Sequence, residues 1–132
     1  VDLLDAWKNG PEAYLGLSVA GFPNFFMLVG PNTGLGHNSM VFMIESQIRY
    51  AAQAIAAADK AGAAALMPSR RAQDEYNAEL QQNLAGTVWS TGGCHSWYMD
   101  EHGVNRTLWS GMTWQYWLET RKFQSTEYEF IR

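Results

Sequence analysis

The sequence predicts an α+β chain organised around one unit, a strand, a glycine-rich turn and a long helix, followed by a second helix and a short β hairpin. Three observations carry that prediction. Phe25-Phe26-Met27-Leu28-Val29, entered through the turn residues Gly21-Phe22-Pro23-Asn24, is apolar on both faces, as a central strand covered on both sides of a sheet is. Gly30-Pro31-Asn32-Thr33-Gly34-Leu35-Gly36-His37-Asn38-Ser39 holds three glycines, a proline and four small polar side chains, a composition suited to tight turns and close backbone approach. Beyond Asn38 or Ser39, either of them a good N-cap, Val41, Ile44, Ile48, Ala51, Ala52 and Ile55 recur at spacings of three and four and form one helical stripe.

That order sets a helix N-terminus, with unpaired N–H groups and the positive end of its dipole, just past the carboxyl end of a buried strand, where open α/β sheets bind ligands. No Lys or Arg lies between Lys8 and Arg49. Gly34, Gly36 and Ser39 give G-x-G-x-x-S rather than a dinucleotide fingerprint or a Walker loop. Phosphate is therefore the weaker candidate. A neutral edge with partial negative charge, such as a ring carbonyl, suits bare N–H donors better. The same stretch also reads as a plain loop between strand and helix.

Ahead of this unit, Asn9-Gly10-Pro11 marks a turn and Gly16-Leu17-Ser18-Val19 a short strand. One βα unit cannot bury both faces of a strand, so Phe25 to Val29 calls for neighbouring strands that the chain hardly supplies. The expectation is a piece of a longer protein, and the missing initiating Met points the same way. Exposed edges would let such a piece self-associate. The first helix should close near Lys60 to Gly62, with Gly62 left-handed. Ala63 to Met67 form a small strand before Pro68. Ser69 caps a second helix to about Leu84, with Ala72, Tyr76, Leu80 and Leu84 on one face and Arg70, Arg71, Asp74, Glu75 and Glu79 solvated. Thr87 to Thr91 and Cys94 to Met99, separated by Gly92-Gly93, supply the hairpin. Val104 to Trp109 form an extended piece, Thr113 starts a helical stretch with Trp114, Trp117 and Leu118, and the tail from Phe123 packs back on the body. Residues 1–62 and 63–132 make the two units of the chain.

The chain has 132 residues, 47% hydrophobic, 14% aromatic and 17% charged, which excludes disorder and suits a single modest core. Its net charge of -4 and the lack of a basic cluster beyond Arg70 and Arg71 speak against nucleic acid. No run of about twenty apolar residues exists to span a membrane, and Val1-Asp2-Leu3-Leu4-Asp5 lacks the basic start and apolar core of a signal peptide. The single cysteine, Cys94, allows no internal disulfide, and the default compartment is the cytoplasm.

Cys94 and His95 with Asp100, Glu101 and His102 bring soft and imidazole ligands together as zinc sites do. Adjacent residues point to opposite sides of a strand, no second Cys or His pair completes four ligands, and no metal site is expected. The same adjacency disqualifies a Cys/His nucleophile. His37, beside a helix N-terminus, stays neutral and could donate to a ligand. It could equally bond loop backbone, as could Asn32, Thr33 and Asn38. Trp89, Trp97, Tyr98, Trp109, Trp114 and Trp117 pack in a core or line a pocket, and a small noncatalytic module holding an apolar ligand or sugar there is the alternative function.

Gly21-Phe22-Pro23-Asn24-Phe25-Phe26, the turn from Gly30 to Ser39, and Trp89 with Gly92-Gly93-Cys94-x-Ser96-Trp97-Tyr98 together resemble the C-terminal part of Baeyer–Villiger type, class B, flavin-dependent monooxygenases. The resemblance covers nearly the whole chain. It implies that strand, turn and helix complete an α/β, Rossmann-like FAD domain, with the helix N-terminus facing the pyrimidine edge of the flavin. It implies FAD contacts from Gly30, Pro31, Asn32, Thr33, Asn38, Ser39 and Met40, and an NADP contact from Trp97.

After Trp97 the sequence continues Tyr98-Met99-Asp100-Glu101-His102 where family members are glycine-rich, which puts the loop's role in doubt. The implied parent uses FAD and NADPH to insert oxygen from O2 beside a ketone or onto a heteroatom. Its dinucleotide fingerprints and catalytic arginine would lie in the upstream remainder of the same protein. The 132-residue chain alone is then expected to be inactive, to contribute no catalytic residue and to hold neither cofactor.

Overall fold

A computed structural model of the chain describes residues 1–34, 39–85, 100 and 103–132. A four-residue helical turn, α1 (Leu3–Ala6), is capped by the Asp2 carboxylate, which accepts from Leu4 N–H at 2.9 Å. The long helix α2 (Met40–Ala61) begins after Ser39 and ends on Gly62 at φ 65, with Lys60 in its last turn, as its sequence signals require. Strand β1 (Ala65–Pro68) follows, then helix α3 (Arg70–Ala85), which Ser69 opens by accepting the Ala72 N–H on its hydroxyl at 3.1 Å. Helix α4 (Thr113–Thr120) and a 3-10 turn (Ser125–Glu127) lead into β2 (Tyr128–Ile131).

The described strands form one two-stranded antiparallel sheet, β1 against β2, with Ala65 opposite Ile131 and Pro68 opposite Tyr128. Pro68 has no N–H to donate and sits at the end of its strand, where the ladder tolerates it. The free side of β1 is met by Asn24, whose N–H donates to Leu66 O at 2.9 Å while its Oδ1 accepts from Leu66 N–H at 3.1 Å. The predicted hairpin at residues 87–99 lies outside the described residues, so the sheet seen here joins two distant segments instead.

Two sequence expectations fail. Phe25 to Val29 is not a strand. Its Met27 N–H reaches Leu17 O at 2.7 Å, but Val29 takes φ 58, outside any extended conformation, and Leu28 and Val29 are 48% and 52% exposed. An apolar run can be an irregular segment as readily as a buried strand when no ladder forms beside it. The second failure concerns α2. Its buried face is Met43, Ser46, Gln47, Tyr50, Ala54 and Ala58, whereas Val41, Ile48 and Ile55 of the predicted stripe are 61%, 52% and 59% exposed.

The core has two lobes. In the first, Leu17, Tyr50, Ala54, Leu66 and Tyr128 meet, with rings in edge contact: Tyr14 lies 5.6 Å from Tyr76 and 5.8 Å from Tyr128 between centroids. In the second, Met43, Leu80, Leu84, Leu108 and Tyr116 pack with Trp109, whose ring stands 5.2 Å from Tyr116. Gln47, wholly buried, joins the lobes: its Oε1 accepts from Val29 N–H at 3.0 Å and its amide donates to the Tyr116 hydroxyl at 3.3 Å. That hydroxyl donates in turn to Leu15 O at 2.6 Å. Burial pushes the Tyr128 phenol up to about 12, and it raises Tyr14, Tyr50, Tyr76 and Tyr116 further.

Candidate functional site

The turn that sequence reasoning singled out is held from two sides. Beneath it, Tyr14 to Ser18 form a tight reversal in which Leu15 and Gly16 both take positive φ and Leu17 N–H donates to Tyr14 O at 3.0 Å. Gly16 and Gly30 pass so close that a Cβ on Gly30 would collide with the Gly16 carbonyl, and one on Gly16 would collide with the Thr33 methyl. Both positions therefore need glycine.

On the other side, residues 105–109 run alongside the turn. Asn32 N–H donates to Arg106 O at 2.9 Å, Gly34 N–H to Thr107 O at 2.8 Å, and Trp109 N–H to Gly34 O at 2.9 Å. The Asn32 amide, 1% exposed, donates to Asn105 O at 2.8 Å and to Leu108 O at 2.9 Å. Asn105 folds its own segment, its Oδ1 accepting from Thr107 N–H at 3.2 Å and Leu108 N–H at 3.0 Å. Thr33 is fully buried and its hydroxyl donates to Gly30 O at 2.7 Å. The side chains of Asn32 and Thr33 thus bond loop backbone, and the turn from Gly30 to Gly34 is tied to residues 105–109 through Asn32 and Gly34.

Past the turn, Ser39 stands at the N-cap position of α2 with φ -72 and ψ 124, yet makes no side-chain cap bond. The first turn of the helix carries no acidic residue. Ser39, Val41 and Phe42 are exposed and Met40 is half-buried at this helix start, where a helix N-terminus presents N–H groups suited to a ligand carrying acceptors. His37, Asn38 and Trp97 lie outside the described residues, as do Cys94, His95 and His102.

A cleft of about 370 Å³ opens along the turn, lined by Trp7, Pro11, Met27, Gly30, Pro31 and Arg106. The sequence gives no local basic residue here, and Arg106 arrives from far along the chain. Its guanidinium is committed to Glu12 at 2.6 Å and Asp100 at 3.5 Å, so the cleft gains no net positive charge from it. Among the described residues no group of three or more His, Cys, Asp or Glu is placed to hold a metal, and no described helix is long and apolar enough to cross a membrane. The described tryptophans do not converge: Trp109 is buried on Tyr116, Trp114 is 58% exposed, and Arg121 lies over Trp117 at 5.9 Å.

No family model matches the chain. It is 52% identical over 128 residues to a Baeyer–Villiger monooxygenase of Pseudomonas aeruginosa, an alignment covering 96% of this chain and 24% of that protein. A Baeyer–Villiger monooxygenase of Streptomyces coelicolor is 45% identical over 131 residues, covering 98% and 25%. An FAD-binding monooxygenase of Aspergillus niger is 39% identical over 130 residues, covering 96% and 21%. Among solved structures, an oxidised steroid monooxygenase bound to NADP superposes with a TM-score of 0.85 at 27% identity, over 98% of this chain and 25% of its own. The cyclohexanone monooxygenase of Rhodococcus sp. Phi1 bound to NADP+ shares the fold, with a TM-score of 0.80 at 23% identity over 98% of this chain and 25% of its own. The chain spans about a quarter of the length of the curated relatives it matches. With that similarity running from end to end, the chain belongs to the Baeyer–Villiger monooxygenase family.

Proposed function

We propose that the parent protein is a cytoplasmic FAD- and NADPH-dependent monooxygenase acting on a small ketone or a heteroatom, and that this segment forms one wall of its FAD site. The observation that carries the site reading is a glycine turn held by Asn32 and Thr33, followed in the sequence by a helix whose N-cap residue, Ser39, makes no side-chain cap bond. The names of the relatives support the activity.

The residues present fit a flavin edge. A ring edge rich in carbonyl and imine acceptors matches uncapped N–H donors and a positive dipole end, and the cleft's balanced charge does not call for a phosphate. FAD, when bound, supplies the electron transfer from NADPH to O2. The chain's own residues bind and orient: Gly30 and Pro31 offer backbone along the cleft, while Asn32 and Thr33 fix the turn's shape. Asn38, Ser39 and Met40 lead the helix donors to the ring, where developing negative charge is stabilised. Trp97 is assigned to the nicotinamide cofactor. Residues 1–62 complete the FAD domain and residues 63–132 form the segment beyond it.

The full-length parent, incubated with NADPH, O2 and a cyclic ketone, is expected to consume NADPH and release a lactone. Ketone-independent consumption without oxygenated product, for ketones and sulfides alike, would sink the reading. The 132-residue chain alone is expected to bind FAD weakly or not at all and to oxygenate nothing. A tight fluorescence titration of the isolated chain with FAD would contradict that.

A further inference from the structure

Arg106 joins three parts of the chain. Its carbonyl accepts from Asn32 N–H at 2.9 Å, inside the glycine turn assigned above to the flavin. Its guanidinium pairs with Glu12 at 2.6 Å, ahead of that turn, and through Nε with Asp100 at 3.5 Å. Gly10, at φ 116, clears the path of this side chain, since a Cβ there would lie 2.9 Å from Arg106 Nε. The Arg106 and Asp100 side chains are 14% and 18% exposed, so solvent screens their attraction little.

Asp100 is also held within its own segment. Its Oδ1 accepts from Val104 N–H at 2.8 Å, its N–H donates to Val104 O at 2.8 Å, and its carbonyl accepts from Gly103 N–H at 3.0 Å. One carboxylate oxygen thus takes a backbone donor while the other faces the guanidinium. Asn105, next to Arg106, braces the arrangement, its carbonyl accepting from the side-chain amides of Asn32 at 2.8 Å and Gln81 at 2.7 Å. In the sequence Asp100 stands three residues after Trp97. The segment that holds the flavin turn by its backbone therefore holds, by one side chain, the residue from which the chain runs back to Trp97.

We infer that Arg106 is a positioning residue for the nicotinamide cofactor, setting through Asp100 the place of the chain that bears Trp97 relative to the flavin turn, which rests on the reading of the parent as an NADPH-dependent monooxygenase with Trp97 at that cofactor. Arg106 acts through Asp100 and not by contact with the nicotinamide. Its backbone fixes one partner of the hydride transfer and its side chain the other.

The test compares variants of the full-length parent with FAD bound. Asp100→Asn keeps an acceptor for Val104 N–H and removes the charge facing Arg106, whereas Glu12→Gln removes the guanidinium's other partner. Asp100→Asn should raise the NADPH KM and the calorimetric Kd for NADP+ about fivefold or more, with FAD content and kcat at saturating NADPH within about twofold of wild type. Glu12→Gln should leave both cofactor constants within about twofold, and Arg106→Lys, which keeps the cation, should stay nearer wild type than Arg106→Gln. Unchanged cofactor constants in Asp100→Asn, or an equal rise in Glu12→Gln, would overturn the inference and leave Arg106 a structural residue. If Asp100→Asn does not fold, the two Arg106 variants decide, and equal constants in them overturn it. Trp97→Ala separates the inference from the reading beneath it. A raised Kd in Trp97→Ala beside an unchanged Asp100→Asn sinks the inference alone, and an unchanged Kd in Trp97→Ala sinks the assignment of Trp97 and the inference with it.

Discussion

Replacing Asn32 tests how the glycine turn is held. The Asn32 amide donates two hydrogen bonds, to Asn105 O and Leu108 O, from a site 1% exposed, and its backbone sits at φ 56. Asn32→Ala removes both bonds at about 1 kcal/mol each and adds the left-handed penalty of a β-carbon without asparagine's local bonding, about another 1 kcal/mol. The total is about 3 kcal/mol. Asn32→Gly loses the same bonds but is at ease at positive φ, so it should cost about 1 kcal/mol less than alanine. Urea unfolding of the chain, followed by far-ultraviolet circular dichroism, reads both. Wild-type midpoints for both variants, or a glycine variant less stable than the alanine one, would refute the account of the turn as cross-braced from Asn105 to Leu108.

Other consequences follow from buried charge and strain. Tyr14, Tyr50, Tyr76, Tyr116 and Tyr128 all have raised phenol pKa values, Tyr128 at about 12, so the fold favours neutral phenols. Unfolded tyrosines ionise near 10, so stability is complete below that pH and is lost as pH rises from about 10 toward the folded values. The melting temperature should fall above pH 10 in step with phenolate absorbance, and phenolate forming at ordinary pH in an intact fold would contradict this. Arg106→Met removes the guanidinium that pairs with both Glu12 and Asp100 and should cost about 2 kcal/mol in urea, with Arg106→Lys recovering part of it. Gly62→Ala meets no atom within 4 Å, so only its φ of 65 is at stake, and the loss should be about 1 kcal/mol.

What was legible in the sequence was local. Ser69 and Gly62 mark helix ends by the chemistry of caps, α3 beginning after Ser69 and α2 ending at Gly62, while Ser39 precedes α2 without a side-chain cap bond. The small strand before Pro68 was legible for the same reason, an apolar run beside a breaker. Its partner β2 was not, because Tyr128 to Ile131 pair with residues far back along the chain and nothing in their own pattern names that register. The apolar residues of Phe25 to Val29 were read as a strand needing neighbours that the chain hardly supplies, and those of α2 as one helical stripe. Hydrophobicity records that a surface is to be covered but not by what, and most of this surface stays open here. The absence of basic residues near the glycine turn was correct along the chain and incomplete in space, since Arg106 reaches the cleft from beyond α3. Asn32 and Thr33 stood out by residue type with two roles open, and the structure gives their side chains to the loop backbone at Asn105 O, Leu108 O and Gly30 O.

The central claim, that the uncapped start of α2 meets the flavin, is tested most directly by amide hydrogen exchange in the full-length parent with and without FAD. Ser39, Met40, Val41 and Phe42 make up the start of the helix, and the Ser39 side chain makes no cap bond to its N–H groups. Their exchange should slow markedly when FAD binds, more than that of the exposed amides at the far end of α2, around Ala61 and Gly62. Unchanged exchange across residues 39–42 in a protein that has taken up FAD would contradict it.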